Sequence, residues 1–263
     1  MVTKIYRPPG IAGFTSISEQ ITPEELVALV NEYLTAMTEI ILKYDGMVDK
    51  YEGDGIMAVW GAPIYFEDHA KKACFAALEM QTKLVELRKK WLSEGKPKIH
   101  ARIGINTGEM IAGNMGSRDR MDYTVMGDAV NLASRLEGAN KQYGTYTMIS
   151  QSTLEYVKDY VIVRELDSIR VKGRLKPVKI YELLVTKEEC LPEHMQNVVE
   201  HYNRGIEAYR NQQWDEAIIA FKSSLSSNGE KDTPSKHYLD LCEEMKLNPP
   251  GSDWDGVYVM ETK

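Results

Sequence analysis

Apolar residues recur along this chain with two periods. From Thr22 onward, Leu26, Val27, Val30, Tyr33, Leu34, Met37, Ile40, Ile41 and Tyr44 fall three or four apart, the stripe of an amphipathic helix. Thr22-Pro23-Glu24-Glu25 supplies an N-cap, a proline at the first helical position and a glutamate placed to close a capping box, and Asp45-Gly46 supplies the stop. Residues 47–51 and 56–60 then read as two short strands about the tight, glycine-bearing turn Glu52-Gly53-Asp54-Gly55, which predicts a hairpin with an acidic tip. A second helix is predicted from about Asp68 to Glu94, its buried side marked by Ala73, Cys74, Ala77, Leu78, Leu84, Leu87 and Trp91, with Gly95 ending it. Beyond it, residues 99–106 and 110–112 predict a strand pair about Thr107-Gly108, and 122–126 another strand. A short helix follows over 128–140, then a strand at 146–149, a Ser150-capped helical turn, and strands near 160–166 and 178–184. The order β, α, β, β, α, β with additions predicts an α+β fold, helices layered on a largely antiparallel sheet. The opening strand is the weak member, because Lys4 to Pro9 holds no apolar run and Pro8-Pro9 removes two consecutive ladder donors.

From about Glu188 the pattern turns wholly helical. Gly205, Ala217 and Phe221 have the spacing of a tetratricopeptide repeat, with Tyr209, Trp214 and Leu225 as further apolar contacts, and another helix is predicted near 235–246. The expected organisation is a domain over 1–187 and a helical segment and tail over 188–263. One repeat has too little surface to bury its own face, so these helices are expected to pack on the preceding body or on a protein partner, either as a repeat or as a plain helical brace. Trp254, in a tail rich in Pro, Gly and Asp, is expected to dock.

Composition narrows the function. Lys plus Arg number 32 against 39 Asp plus Glu, a net charge of -7, which argues against a nucleic-acid partner. Three cysteines, Cys74, Cys190 and Cys242, share no short metal-ligand spacing and make no even set for a disulfide framework, so a reducing, cytoplasmic setting is expected. No apolar stretch is long enough to span a bilayer, and the N-terminus lacks the apolar core of a signal peptide.

Four ordered blocks carry a family resemblance: Ile11-Ala12-Gly13-Phe14-Thr15; Val48-Asp49-Lys50-Tyr51-Glu52-Gly53-Asp54-Gly55-Ile56-Met57-Ala58; Tyr123 to Glu137, which contains Met126-Gly127-Asp128-Ala129-Val130-Asn131; and Val171-Lys172-Gly173. In this order, over roughly residues 10–185, they resemble the catalytic domain of class III adenylate and guanylate cyclases. The resemblance implies a ferredoxin-like βαββαβ core and formation of 3′,5′-cyclic AMP and pyrophosphate from ATP. It also implies a homodimer with composite sites and two Mg²⁺ or Mn²⁺ ions per site.

Each residue also has a plainer explanation. Asp54 is an ordinary turn aspartate by position alone; the resemblance makes it a metal ligand, with the Ile11 backbone carbonyl as another. Lys50 would otherwise be a solvated edge lysine, and Thr124 a β-branched strand residue; the resemblance makes them the purine readers, and lysine at position 50 points to ATP. Advancing about 100° per residue puts Ala129, Leu132, Ala133 and Leu136 on one face and Asn131 and Arg135 on the opposite one. That geometry leaves Asn131 and Arg135 either solvated or facing a site, and the resemblance assigns them to charge developing on the ribose oxygen and the α-phosphate. Lys172 matches a phosphate-neutralising lysine. Arg120, with Arg118 as the alternative, is a further phosphate contact, and Phe14 and Thr15 lie in the loop whose amides approach the triphosphate.

The family's first metal-binding aspartate position is Gly10 here. Either the start of the chain is atypical or that metal site is lost. The reading is an adenylate cyclase for intracellular signalling, its activity reduced by Gly10. Two alternatives stand beside it: a nucleotide-binding regulatory subunit without turnover, and a dimeric scaffold acting through the helical C-terminus. Relatives with such a tail often carry membrane-bound sensory segments upstream, so tethering of a longer protein is also expected.

Overall fold

In the computed structural model, which describes residues 2–7, 21–170, 177–251, 254 and 258–259, the capping box at Thr22 is closed. The Thr22 amide donates to Glu25 Oε2 at 2.9 Å and the Glu25 amide to Thr22 Oγ1 at 3.3 Å. Helix α1 (Pro23–Lys43) starts there and buries Leu29, Tyr33, Met37 and Ile41 along the predicted stripe. The hairpin β2 (Met47–Glu52) and β3 (Gly55–Trp60) follows, then α2 (His69–Ser93).

An eight-stranded sheet runs in the order β10-β8-β9-β7-β4-β1-β3-β2, with β1 (Val2–Arg7), β4 (Ile103–Gly108), β7 (Thr147–Ser150), β8 (Val161–Arg170), β9 (Val178–Thr186) and β10 (Tyr258–Val259). Among the described residues, only the β4–β7 and β10–β8 pairs are parallel. Alternation along the strands feeds two cores. Ile103, Ile105 and Ile149 join α1 and α2 in one cluster with Trp60 and Trp91, while Met148, Leu166 and Ile180 join the helices of the other face.

Two expectations needed correction. The opening strand forms: β1 lies inside the sheet, antiparallel to β3 and β4. It buries Thr3 and Ile5, and Thr3 Oγ1 bonds His69 Nδ1 at 2.7 Å and Thr107 Oγ1 at 2.8 Å, so pairing on both edges and a satisfied buried hydroxyl stand in for an apolar run. The strand ends at Arg7, ahead of Pro8-Pro9, which lie outside the described residues. Secondly, residues 110–112 do not pair with the strand before them. β5 (Ile111–Gly116) pairs instead with β6 (Met121–Met126) in a separate two-stranded ribbon, leaving β4 free to take β1 and β7 as neighbours.

Helix α3 (Asp128–Tyr143) follows the ribbon and packs on β4, and α4 (Gln151–Val157) follows β7, capped by Ser150, whose Oγ accepts from the Thr153 amide. The C-terminal helices α5 (Glu193–Arg210), α6 (Trp214–Ser227) and α7 (Thr233–Leu247) pack on the body. Tyr202, Phe221, Tyr238 and Cys242 share one core with Leu132, Leu136 and Tyr143 of α3. Gly205 is required at the α5–α6 crossing, since a Cβ there would stand 2.6 Å from the Phe221 ring. Trp254 docks as expected, 5.2 Å from the Tyr209 ring and 5.6 Å from Trp214.

A buried ion cluster joins this helical layer to the sheet. Arg164 on β8, 2% exposed, donates through Nη1 to both Asp232 oxygens at 2.8 Å and through Nε and Nη2 to Glu182 Oε2 at 3.0 and 2.6 Å. Burial disfavours the guanidinium charge, but Glu182 and Asp232 outweigh it and hold Arg164 protonated; burial also pushes the Glu182 carboxyl up, against the pull of Arg164. Asp232 is at once the N-cap of α7, accepting from the Ser235 amide at 3.2 Å. Among the described residues, no helix is long and apolar enough to cross a membrane.

Candidate active site

The two-residue turn between β2 and β3 carries Asp54 at the hairpin tip, and Glu52 pairs with Gly55 to close it. Gly53 takes the positive φ of 61° that the turn demands, and Asp54 is 4% exposed. Lys50 lies four residues back on β2, half-buried. Thr124 is on β6, far away in sequence, yet its hydroxyl donates to Asp49 Oδ2 at 2.9 Å, and Lys50 Nζ stands 3.8 Å from Asp49 Oδ1. The structure thus gathers Lys50 and Thr124 around a carboxylate that sequence reasoning had not singled out. In a regular strand, adjacent Asp49 and Lys50 would face opposite sides of the sheet, so periodicity alone carried no signal for this grouping.

Helix α3 presents its predicted faces: Ala129, Leu132, Ala133 and Leu136 are buried, Asn131 is exposed and Arg135 half-buried. Two devices fix this helix. Asn106 Nδ2 on β4 donates to the Ala129 carbonyl in its first turn at 2.8 Å, while Asn106 Oδ1 accepts from Ser150 Oγ at 2.6 Å. Gly104 lets α3 lie directly on β4, for a Cβ there would stand 2.2 Å from the Ala133 carbonyl oxygen and 2.4 Å from the Glu137 amide nitrogen. Both neighbours are backbone and have no rotamer to adopt. Gly104→Ala is therefore expected to lose about 1–3 kcal/mol of stability from overpacking and to shift the helix that carries Asn131 and Arg135. Matched thermal melts of the two proteins check it, and an unchanged melting temperature would show that α3 can ride up without cost.

Arg120 is not gathered into a cluster. It lies in the β5–β6 turn with its side chain 84% exposed, its Nε 3.9 Å from Asp122 Oδ2, and Arg118 is exposed beside it. Gly10, Ile11, Phe14, Thr15 and Lys172 lie outside the described residues.

The donor set fits a cation carried by a nucleotide. Among the described residues, no group of three or more His, Cys, Asp or Glu is placed to hold a metal, so no all-protein cage forms there. Asp54 supplies one carboxylate at a tight, buried turn. Mg²⁺ commonly takes just one or two carboxylates and completes its octahedron with phosphates and water.

Comparison with known proteins identifies the family. The adenylate and guanylate cyclase catalytic domain matches residues 9–185. Adenylate cyclase 1 of Rhizobium meliloti is 39% identical over 184 residues, covering 70% of this chain and 27% of that protein. The chain therefore spans well under half the length of this relative. Among solved structures, the adenylyl cyclase CyaB from P. aeruginosa superposes with a TM-score of 0.66 at 36% identity, over 72% of this chain and 96% of that one. The guanylyl cyclase Cya2 does so with a TM-score of 0.65, also at 36% identity, over 71% of this chain and 93% of that one. Equal identity to an adenylyl and a guanylyl enzyme leaves the purine to be argued from the site. Fold, ordered motifs and matched length agree, and the chain belongs to the adenylate and guanylate cyclase catalytic domain family.

Proposed function

We propose that this chain is the catalytic part of an adenylate cyclase, forming 3′,5′-cyclic AMP and pyrophosphate from ATP at a homodimer interface. The ribose 3′-oxygen bonds to the α-phosphorus as the bond from that phosphorus to the departing pyrophosphate breaks, and the hydroxyl proton is released. The observation that carries the choice of ATP is Lys50 beside Thr124: an ammonium has only donors to offer, and the ring N1 of adenine is an acceptor where that of guanine bears a hydrogen. Asn131 and Arg135, projecting from the outer face of α3, would hold the charge that builds on the 3′-oxygen and the α-phosphate, a role that preorganised donors fill without reorganisation. Asp54 would hold the cation, with the Ile11 carbonyl as a second donor. That cation supplies Lewis-acid polarisation of the phosphoryl oxygens when bound. Lys172, Arg120 and the loop of Phe14 and Thr15 would bind the triphosphate.

A dimer is supported by the β5–β6 ribbon. A two-stranded ribbon is marginal alone, and this one leaves Ile111, Met121 and Met126 between 57% and 72% exposed. The catalytic domain over 1–187 and the helical segment over 188–263, the latter the proposed seat for a protein partner, are the proposed organisation.

Incubation of the purified chain with ATP and Mn²⁺ or Mg²⁺, followed by measurement of cyclic AMP, tests the reading. Cyclic AMP is expected with both ions, and Mn²⁺ should support the faster turnover because glycine at position 10 leaves one carboxylate fewer for geometrically demanding Mg²⁺. ATP binding without product would favour the regulatory subunit, and absence of binding would favour the scaffold. Lys50→Glu, which replaces donors with acceptors, should lower the ATP-over-GTP preference by about 1–3 kcal/mol. A preference unmoved in active protein would mean that the purine is read elsewhere.

A further inference from the structure

The Asp49 carboxylate is fully buried, its side chain 0% exposed. Strand β2 pairs Val48 with Ala58 and Lys50 with Met57, the next residue along β3, so Asp49 is the extra residue of a bulge. A bulge breaks the alternation of a strand and re-aims the side chains around it. Here the Asp49 carboxylate takes a partner at each oxygen: Thr124 Oγ1 donates to Asp49 Oδ2 at 2.9 Å, and Lys50 Nζ stands 3.8 Å from Asp49 Oδ1.

A hydroxyl has one proton and two lone pairs, and an ionised carboxylate only accepts. The Thr124 proton is therefore committed to Asp49, and what Thr124 keeps for a ligand is acceptor capacity. Lys50, having donors alone, offers the opposite. The pair presents one donor and one acceptor, in an order that Asp49 dictates.

We propose that Asp49 is a specificity-determining residue that sets the hydrogen-bond polarity of Thr124, so that the site accepts a 6-aminopurine nucleotide and rejects a 6-oxopurine one. A 6-aminopurine shows an acceptor at N1, which matches Lys50, and a donor at its amino group, which matches Thr124. A 6-oxopurine shows a donor at N1 and an acceptor at O6, and meets like against like at both. Without Asp49, the Thr124 hydroxyl rotates and donates to O6 as readily as it accepts from an amino group. The inference rests on the proposed purine role of Lys50 and Thr124, and adds to it the group that decides which way Thr124 reads.

The test compares kcat/KM for ATP and for inosine triphosphate, which has the 6-oxo edge without the 2-amino group of GTP, in the whole chain with Mn²⁺. Wild type should favour ATP. Asp49→Ala should narrow the ATP-to-inosine-triphosphate ratio by about 10- to 100-fold, chiefly through a gain for inosine triphosphate, the scale of one misdirected buried hydrogen bond. Thr124→Val, which leaves Asp49 in place, should narrow the ratio through a loss for ATP, and adding it to Asp49→Ala should change the ratio less than the two effects summed. If Asp49→Ala folds poorly, Thr124→Val alone still reads the acceptor role. A purely structural Asp49 would lower both substrates by one factor, and an unmoved ratio in folded, active Asp49→Ala overturns the proposal. Should wild type form no cyclic product, the cyclase reading fails, and displacement of a fluorescent ATP analogue by ATP and inosine triphosphate then reads the same ratio as binding. Equal displacement by the two in wild type overturns the Asp49 assignment.

Discussion

Arg135→Ala is expected to fold like the parent and to keep its proposed ATP binding, yet to turn ATP over about 100- to 1000-fold more slowly, the cost of removing one donor from developing transition-state charge. The structure indicates why folding should survive. Arg135 is half-buried, on the face of α3 turned away from Leu132 and Leu136, and the packing that holds the helix comes from those leucines, from Gly104 and from the Asn106 bond to the Ala129 carbonyl. A fall in kcat with little change in KM identifies an interaction made in the transition state. Normal turnover in a folded variant would remove Arg135 from the mechanism. The proposed composite sites make a second outcome available: mixing Arg135→Ala with Asp54→Asn should restore some activity, because one of the two sites in the mixed dimer would then draw both intact halves. No recovery after demonstrated subunit exchange would refute the shared site.

Asp232→Ala should lose on the order of 3–5 kcal/mol of stability, the range for removing one partner of a buried ion pair. Arg164 would keep Glu182 but lose the carboxylate that takes both Nη1 bonds, and no water reaches a guanidinium that is 2% exposed. The same substitution strips α7 of its N-cap, worth about 1 kcal/mol by itself. Asp232→Asn separates the contributions, since asparagine caps a helix equally well but brings no charge to Arg164. Denaturant unfolding followed by tryptophan fluorescence checks both, as Trp214 and Trp254 sit in the layer that Asp232 ties down. Equal midpoints for parent and Asp232→Ala would show that the helices are held by their apolar contacts alone.

The helices, the β2–β3 hairpin and the faces of α3 were legible because each is written in a short window. A capping box spans four residues, a tight turn two, and a helical stripe repeats every three or four. The same holds for the family blocks, which are contiguous runs. The errors fell where a partner strand had to be chosen. Residues 110–112 looked like the return arm of the strand before them, but β5 took β6, and strand pairing depends on which edges remain unclaimed across the whole sheet. Lys4 to Pro9 looked too polar for a strand, since nothing local announces that Thr3 will find both His69 and Thr107.

By itself the sequence determined the element types, the outward placement of Asn131 and Arg135, the acidic hairpin tip and the ordered motifs that mark the cyclase family. Tertiary structure alone decided that the C-terminal helices share a core with α3 and are tied to β8 through Arg164 and Asp232. It also decided that Asp49 lies beneath Thr124 beside Lys50. The physical reason is common to these cases. Propensity and periodicity act through neighbours along the chain, whereas a buried carboxylate is stable only where other segments bring it a donor, and a strand bulge that re-aims a side chain leaves no mark on the pattern that a sequence shows.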